Sequence, residues 1–272
     1  MSLKQPKILI TNNQLFNMGG TETWVLTMVQ ELAKKYKVGV YTKQKGYVSD
    51  LIKEYIDDRP RGYDLALVNH TTCINEARIG ADFTIFTSHG TEPDLEKPQI
   101  GCNYYVAVNE NVADKYNLET IIKNPIDTEL FKPTREINDK PNQILAITEK
   151  PIPLNAFYPS RVDNNMPELI NKADVVVSMG RGALEAMSCA RNVIVWDERG
   201  YWGPRGDGYL TLPITGNVAG PYNKTTINWK KELAKYDKAH GQRNREYILK
   251  NHDVRNIAKE YLKIWTDIKN GM

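Results

Sequence analysis

Short apolar runs alternate with amphipathic stretches along the first half of the chain. KILIT (7–11), KVGVYT (37–42) and YDLALVNH (63–70) have the length and branched content of buried strands. Apolar residues recur with helical spacing from Trp24 to Leu32, and VSDLIKEYIDD (48–58) also predicts a helix. The pattern continues through DFTIFTSHG (82–90), YYVAVNENVADKY (104–116) and a last predicted strand, ETIIKNPID (119–127). Alternation of this kind predicts a parallel sheet with helices on both faces.

A charged stretch with two prolines, DTELFKPTREINDKPNQ (127–143), predicts a linker. Strand and helix patterns then resume in QILAIT, MPELINKA, DVVVS, RGALEAMSCA and NVIVWDE, and two helices are predicted from Trp229 onward. The predicted fold class is α/β, with two Rossmann-like domains. We place their bounds at 1–133 and 134–255, followed by a closing helix over 256–272.

The composition narrows the class of protein. The 272 residues are 41% hydrophobic and 25% charged, with a formal net charge of +3, which is typical of a globular protein and disfavours nucleic acid as a partner. Cys73, Cys102 and Cys189 lie at unrelated spacings, so neither a disulfide framework nor a zinc site is predicted. No apolar run reaches the roughly 20 residues that span a bilayer, and no signal segment is recognised at the start. We therefore expect a cytoplasmic protein.

Two turns that follow predicted strands in the first half are candidate ligand sites, because α/β sheets bind ligands beyond the carboxyl ends of their strands. In NMGGTE (17–22), Gly19 and Gly20 allow close backbone approach, and Thr21 is the predicted N-cap of the next helix. In TSHGTEP (87–93), His89 is placed for proton transfer or hydrogen bonding; His70 is a weaker candidate. An empty tight turn and a histidine that only orders its loop are the alternatives. The absence of GxGxxG and of a P-loop lysine disfavours dehydrogenases and P-loop NTPases.

The third candidate turn is SMGRGALEAM (178–187), in the second half. Gly180, Arg181 and Gly182 open a predicted helix, where backbone N–H groups and a guanidinium suit a phosphate. Glu185 lies about one turn further, where a carboxylate could accept hydrogen bonds from a diol such as ribose. The alternative for Glu185 is an ordinary capping acid.

Four blocks together resemble one known family. NPIDTELFKP (124–133), MPELINKADVVVSMGRGALEAMSCARNVIV (166–195), NMGGTETWVLTMVQELAKK (17–35) and NHDVRNIAKEYLKIW (251–265) are similar to conserved blocks of GT4-type retaining glycosyltransferases, also called glycosyl transferases group 1. The resemblance implies a GT-B fold, in which two Rossmann-like domains face a cleft and the last helix returns to the first domain. It also implies transfer of a hexose from a UDP- or GDP-linked donor with retention, without a metal ion or other cofactor.

The resemblance also implies roles for individual residues. Glu185 matches the glutamate that binds the nucleotide ribose, and Gly180, Arg181 and Gly182 lie where the donor's sugar and diphosphate are held. Gly19 and Gly20 match the loop that closes over the diphosphate. His89 resembles the family histidine near the sugar and acceptor, and it is the predicted catalytic residue, orienting groups rather than attacking.

The chain departs from the family in two respects. The first glutamate of the family's usual pair falls at Val177, which cannot hydrogen-bond a sugar. Between Pro133 and Met166 the family has more strand–helix units than this chain can hold, so the second domain is abbreviated. Lys150 and Arg161 are the predicted substitutes for the basic residues carried by those units. These departures keep a second hypothesis open, a relative with reduced or no turnover that binds a nucleotide or glycan, ahead of a GT-B epimerase or phosphorylase.

The expected partners are a nucleotide sugar and a glycan, lipid-linked or other hydroxyl acceptor. Basic residues toward the C-terminus suggest peripheral contact with an anionic membrane, although a solvated helix face is the preferred interpretation. They are Lys230, Lys231, Lys235, Lys238, Arg243 and Arg245. Nothing in the sequence predicts an oligomeric state.

Overall fold

The computed structural model describes residues 5–91, 93–148, 151–159, 165–197, 200–201 and 228–271. The chain divides into two compact units, Met1–Pro125 with Val254–Met272, and Ile126–Asp253. The strands are β1 (Lys7–Gln14), β2 (Lys37–Gln44), β3 (Tyr63–Val68), β4 (Ala81–Ser88), β5 (Tyr104–Ala107), β6 (Ile144–Ala146), β7 (Val175–Ser178), β8 (Asn192–Asp197) and β9 (Gly200–Tyr201). The helices are α1 (Gly20–Leu32), α2 (Tyr47–Leu51), α3 (Ile74–Gly80), α4 (Glu110–Tyr116), α5 (Met166–Lys172), α6 (Gly180–Ser188), α7 (Trp229–Leu233), α8 (Lys238–Asn251) and α9 (Val254–Lys269).

The first unit is built on a parallel sheet with the strand order β2-β1-β3-β4-β5. Because side chains alternate along a strand, the sheet has two buried faces. Ile8 and Ile10 of β1 face a core that includes residues of α1 and α9. Leu9, between them, faces the second core together with Ala77 of α3. Burial on both faces explains why these strands are continuous apolar runs.

The second unit has a smaller sheet in the described residues, with the order β6-β7-β8-β9. β6, β7 and β8 are parallel, and β9 is antiparallel to β8. Val176 and Leu184 lie in a core shared by β7, α6 and α8, and Val177 lies in the core on the other face. The α/β fold class with parallel sheets, including a short second domain, is therefore confirmed.

Two predictions about elements of the first unit were wrong in detail, and one helix was missed. ETIIKNPID forms two isolated bridges rather than a strand, Ile121 with Ala107 and Ile126 with Asp253, and Pro125 between them has no N–H to donate. The helix predicted over 48–58 ends at Leu51, because the chain returns to the sheet where Ile56 bridges Val40. α3 was not predicted at all. Its seven residues are too few to display a helical repeat.

The boundary of the first unit lies eight residues before the predicted one. Residues 126–133 belong to the second unit, because Ile126 and Phe131 are buried in its core. The backbone N–H of Ile126 donates to the carbonyl oxygen of His252 at 2.7 Å, and Thr128 donates to Asp253 at 2.7 Å. The start and the end of the second unit are thus bonded to one another, and α9 follows directly as part of the first unit.

The basic residues toward the C-terminus are largely engaged within the protein. Lys235 pairs with Glu232, Lys238 pairs with Glu136, and Arg243 pairs with Asp237. The Arg245 guanidinium donates to the backbone carbonyl oxygens of Thr128, Phe131 and Ser188. These contacts favour the interpretation as a structural and solvated face. Within the described ranges, no helix combines the length and the apolar character that crossing a bilayer requires.

Candidate functional site

The turn from β7 into α6 depends on both of its glycines. Gly180 has φ +57°, in the left-handed region that side-chain-bearing residues rarely adopt. At Gly182, an added Cβ would lie 2.5 Å from the hydroxyl oxygen of Ser178, the last residue of β7. The sequence Gly-Arg-Gly therefore lets α6 begin immediately at the carboxyl end of a central strand. Its first turn carries backbone N–H groups that have no acceptor within the helix.

Arg181 and Glu185 form an ion pair along α6. The Arg181 Nε donates to the Glu185 carboxylate at 2.8 Å, and each side chain is only 11% exposed. Burial raises the pKa of Glu185, while the Arg181 guanidinium opposes that rise. Burial likewise lowers the pKa of Arg181, opposed by Glu185 and more weakly by Asp127. Glu185, the residue predicted to bind the ribose, is thus hydrogen-bonded to Arg181, the residue predicted to bind the diphosphate. This ion pair was not predicted from the sequence, although its i, i+4 spacing is typical of such pairs.

Val177 stands at the position of the family's other glutamate, and its apolar side chain cannot form the hydrogen bonds of a carboxylate. It is fully buried in β7, among Val175 and Ile194. Lys150 and Arg161, the predicted substitutes for the missing basic residues, lie outside the described residues.

The Gly19–Gly20 turn carries an acid of its own. α1 begins at Gly20 with Gly19 as its N-cap, so the prediction of Thr21 as the N-cap was wrong. Thr21 lies inside the first turn, where its hydroxyl donates to the Glu22 carboxylate at 3.1 Å. The Glu22 carboxylate folds back over Gly19, against the position a Cβ would take, whereas Gly20 has open space around it. A negative charge therefore already complements the positive end of the α1 dipole.

Glu96 is a second acid in this region that the sequence did not single out. Its carboxylate lies 2.6 Å from the position that a Cβ on Gly90 would occupy, and the Ser88 hydroxyl donates to its backbone carbonyl oxygen at 2.7 Å. Burial, together with the nearby Glu22, raises the pKa of Glu96 to about 7. Glu22 could have been recognised from its position three residues after the N-cap. Glu96 had no such signal.

His89 lies buried and hydrogen-bonded just after the carboxyl end of β4. The residue is only 6% exposed, and its Nε2 lies 2.9 Å from the amide oxygen of Asn69. Asn124 provides a second hydrogen bond, and the ring packs edge-on against Trp24 at 5.7 Å between centroids. Burial, with a smaller contribution from His70, lowers the pKa of His89 to about 3. His89 is therefore a neutral imidazole that can orient a polar group, and it is a poor acid or base near pH 7.

His70 has a separate role at the end of β3. Its Nδ1 accepts a hydrogen bond from the backbone N–H of Asn13 at 3.0 Å, which places the proton of the neutral ring on Nε2. Burial lowers its pKa to about 4. The first unit thus brings His70, His89, Asn69 and the Gly19–Gly20 turn to the carboxyl edge of one sheet.

The second unit brings Gly180, Arg181, Gly182 and Glu185 to the carboxyl edge of the other sheet. Within the described part of the chain, no group of three or more histidine, cysteine, aspartate or glutamate side chains is arranged to hold a metal ion. The expectation that the Gly19–Gly20 turn and the Arg181 turn meet across a pyrophosphate concerns the placement of the two units and stays a prediction.

Solved structures that are similar to this chain identify its fold. No protein-family model matches the sequence, and no curated protein matches it. Among solved structures, Anabaena HepE in complex with UDP and glucose is 13% identical, with a TM-score of 0.64 over 97% of this chain and 100% of that chain. A glycosyltransferase from Rickettsia africae is 12% identical, with a TM-score of 0.65 over 98% and 100%. A putative UDP-N-acetylglucosamine 2-epimerase from Listeria monocytogenes is 11% identical, with a TM-score of 0.61 over 99% and 98%. The chain has the GT-B fold of these proteins.

Proposed function

We propose that this chain is a glycosyltransferase that moves a hexose from a UDP- or GDP-linked donor to an acceptor hydroxyl. The GT-B fold supports a nucleotide-sugar enzyme, and the similar structures include glycosyltransferases and a protein solved with UDP and glucose. The observation that carries the proposal is the Gly180–Gly182 turn. It presents a helix N-terminus and a largely buried guanidinium at the carboxyl end of β7, which is a suitable environment for a diphosphate.

The proposed donor contacts follow from that geometry. The backbone N–H groups of the first turn of α6 and the Arg181 guanidinium meet the diphosphate and stabilise the charge that develops as it leaves. Glu185 holds Arg181 in place through their 2.8 Å bond. Its second carboxylate oxygen accepts hydrogen bonds from the ribose hydroxyls. No metal ion is required in this proposal, because fixed dipoles and a guanidinium supply the positive charge.

The reaction proposed is transfer with retention. The bond between the anomeric carbon and the diphosphate oxygen breaks, and the acceptor oxygen bonds to the same face of the sugar. His89 is unsuited to remove the acceptor proton, since its pKa is lowered to about 3 and its ring is already hydrogen-bonded. The proton therefore passes to the departing diphosphate oxygen, while His89 orients the sugar or acceptor.

The Gly19–Gly20 turn has a more limited role in this proposal than its sequence suggests. Glu22 occupies the space over Gly19 and offsets the dipole of α1. Gly20 is therefore the backbone position at which a ligand approaches this turn. The acceptor is a glycan, a lipid-linked sugar or another hydroxyl compound.

A product assay tests the proposal. The wild type is incubated with UDP-glucose or GDP-linked sugars and a panel of glycoside acceptors, and NMR identifies the product and its anomeric configuration. We expect a product that retains the donor's configuration and formation that persists in EDTA. Glu185→Gln should reduce it, whereas Glu168→Gln, at an exposed acid on α5, should not. A product of inverted configuration, or epimerisation of the donor without transfer, would overturn the proposal.

The second candidate is a relative that binds a nucleotide or glycan without turning it over. It is favoured by the burial of Val177 and by the engagement of Glu185 with Arg181. Tight binding of a nucleotide sugar with neither hydrolysis nor transfer would support this candidate.

A further inference from the structure

Among the described residues, three buried polar atoms on the α1 side of the first sheet lack a hydrogen-bond partner. They are Oδ1 of Asn12, Nδ2 of Asn69 and Nε1 of Trp24. Asn12 and Asn69 are 0% exposed and Trp24 is 1% exposed. Buried polar atoms are nearly always hydrogen-bonded in folded proteins, because an unpaired one keeps the full cost of losing water. Three of them in one region therefore indicate a missing partner of complementary chemistry.

The strand register brings the two asparagines side by side. Thr11 of β1 is in register with Val68 of β3, and the N–H of Asn69 continues the ladder by donating to the carbonyl oxygen of Thr11 at 3.1 Å. Asn12 and Asn69 are thus the next pair along adjacent strands. Such neighbours project from the same face of a parallel sheet, about 5 Å apart.

Trp24 reaches the same place through His89. The Trp24 ring packs edge-on against His89 at 5.7 Å between centroids, and His89 Nε2 lies 2.9 Å from the Asn69 amide. Trp24 also belongs to the core formed by this face of the sheet. Trp24 and Asn69 thus both contact His89, and Asn12 is the neighbour of Asn69 on the adjacent strand.

The donor or acceptor character of each free atom determines the chemistry of the missing partner. Asn12 already donates its NH2 to the carbonyl oxygen of Gln14 at 2.6 Å, so its free atom is an acceptor. The indole N–H is only a donor. An amide flip of Asn69 would place Nδ2 instead of Oδ1 against His89. In either orientation, the other atom of the amide has no hydrogen-bond partner. The partner must accept a hydrogen bond from the indole and donate one to Asn12, which a hydroxyl oxygen can do.

We propose that Asn12, Asn69 and Trp24 form a binding site for one hydroxyl oxygen, which fixes the Asn69 amide and through it the tautomer of His89. Two sources supply this chemistry: a bound water molecule, or a hydroxyl group of a carbohydrate ligand. The site is inferred from the first unit alone, so it stands whether or not the protein transfers sugars.

The indole N–H of Trp24 reports on the site directly. The full-length wild type is labelled with 15N-tryptophan, which gives signals from five residues. Trp24→Phe assigns the signal of interest, and Trp265→Phe assigns a matched indole on α9 that packs against the same core. Cross-relaxation between each indole proton and water is measured for the protein alone, and then with methyl α-glucoside or UDP-glucose.

The two sources of the hydroxyl oxygen, water and a carbohydrate, predict different NMR results for the Trp24 indole. A long-lived cross-peak to water at Trp24, unchanged by either sugar, assigns the site to a bound water molecule. A shift of the Trp24 signal with methyl α-glucoside or UDP-glucose, without a shift at Trp265, assigns it to a carbohydrate hydroxyl. If the Trp24 indole resonates as a non-hydrogen-bonded N–H, with no water cross-peak and no response to either sugar, the proposal is overturned.

Discussion

Truncation of Glu185 is expected to destabilise the second unit, because the largely buried guanidinium of Arg181 then loses its carboxylate partner. In Glu185→Ala, Arg181 loses the carboxylate at 2.8 Å while its side chain remains only 11% exposed. Deleting one partner of a buried ion pair costs about 3–5 kcal/mol, since the remaining charge is uncompensated. For a chain of this size each kcal/mol lowers Tm by about 2–4 °C. The expected fall in Tm is therefore about 6–20 °C.

Two controls separate this effect from the loss of any glutamate. Glu168→Ala removes an i, i+4 pair with Lys172 that is more than half exposed, and such pairs contribute about 0.3–0.5 kcal/mol. The double variant Arg181→Leu/Glu185→Leu removes both charges, and apolar replacement of a buried pair is often neutral. We expect it to recover most of the stability lost in Glu185→Ala.

The assay is urea unfolding followed by circular dichroism, with Tm measured in parallel. The reasoning predicts a large loss for Glu185→Ala, a small loss for Glu168→Ala and recovery in the double variant. Equal effects of Glu185→Ala and Glu168→Ala would refute it, because the Arg181–Glu185 pair would then behave as if solvent-screened.

Three further predictions concern the turn and the titrating groups. Gly182→Ala places a Cβ 2.5 Å from the Ser178 hydroxyl and should cost about 1–3 kcal/mol in urea unfolding; adding Ser178→Ala should relieve it, and no relief would show that the clash is not the cause. The pKa of His89 is lowered from 6.5 to about 3, so the unfolded chain binds more protons between these values. Stability should fall as the pH drops below 6.5, by at most about 1.4 kcal/mol per pH unit from this group, and His89→Gln should flatten the slope; an unchanged slope would contradict the buried neutral ring. The pKa of Glu96 is raised from 4.5 to about 7, so stability is lost as pH rises through this window. Glu96→Gln should raise the denaturation midpoint at pH 8 but not at pH 4, and equal effects at both would count against a perturbed carboxyl.

The elements that sequence predicted best are those in which local pattern and tertiary burial agree. Three such strands are β1, β3 and β7, which are buried on both faces of a sheet. A short run of apolar residues is therefore enough to predict each of them. The start of α6 was also predictable, because Gly-Arg-Gly after an apolar run favours a turn into a helix. The misplaced N-cap at Thr21 arose because Glu22 folds back over Gly19 and complements the helix start in its place.

The parts of the candidate site that could not be predicted depend on long-range contacts. The lowered pKa of His89 follows from burial in the folded sheet, with a smaller contribution from His70, which lies just after a different strand. The raised pKa of Glu96 likewise follows from burial in the folded unit, to which the nearby Glu22 adds. By contrast, the Arg181–Glu185 pair was readable from its spacing, although its burial was not.

The central claim, a diphosphate site at the start of α6, is tested most directly by titration calorimetry with UDP and GDP. Wild type is compared with Arg181→Gln and with Arg243→Gln, a control at an exposed arginine on α8, after circular dichroism has shown each variant to be folded. The account predicts that one of the two nucleotides binds at one site per chain, that Arg181→Gln weakens binding by about tenfold or more, and that Arg243→Gln leaves it unchanged. Absence of binding to the folded wild type, or undiminished binding to folded Arg181→Gln, would contradict it.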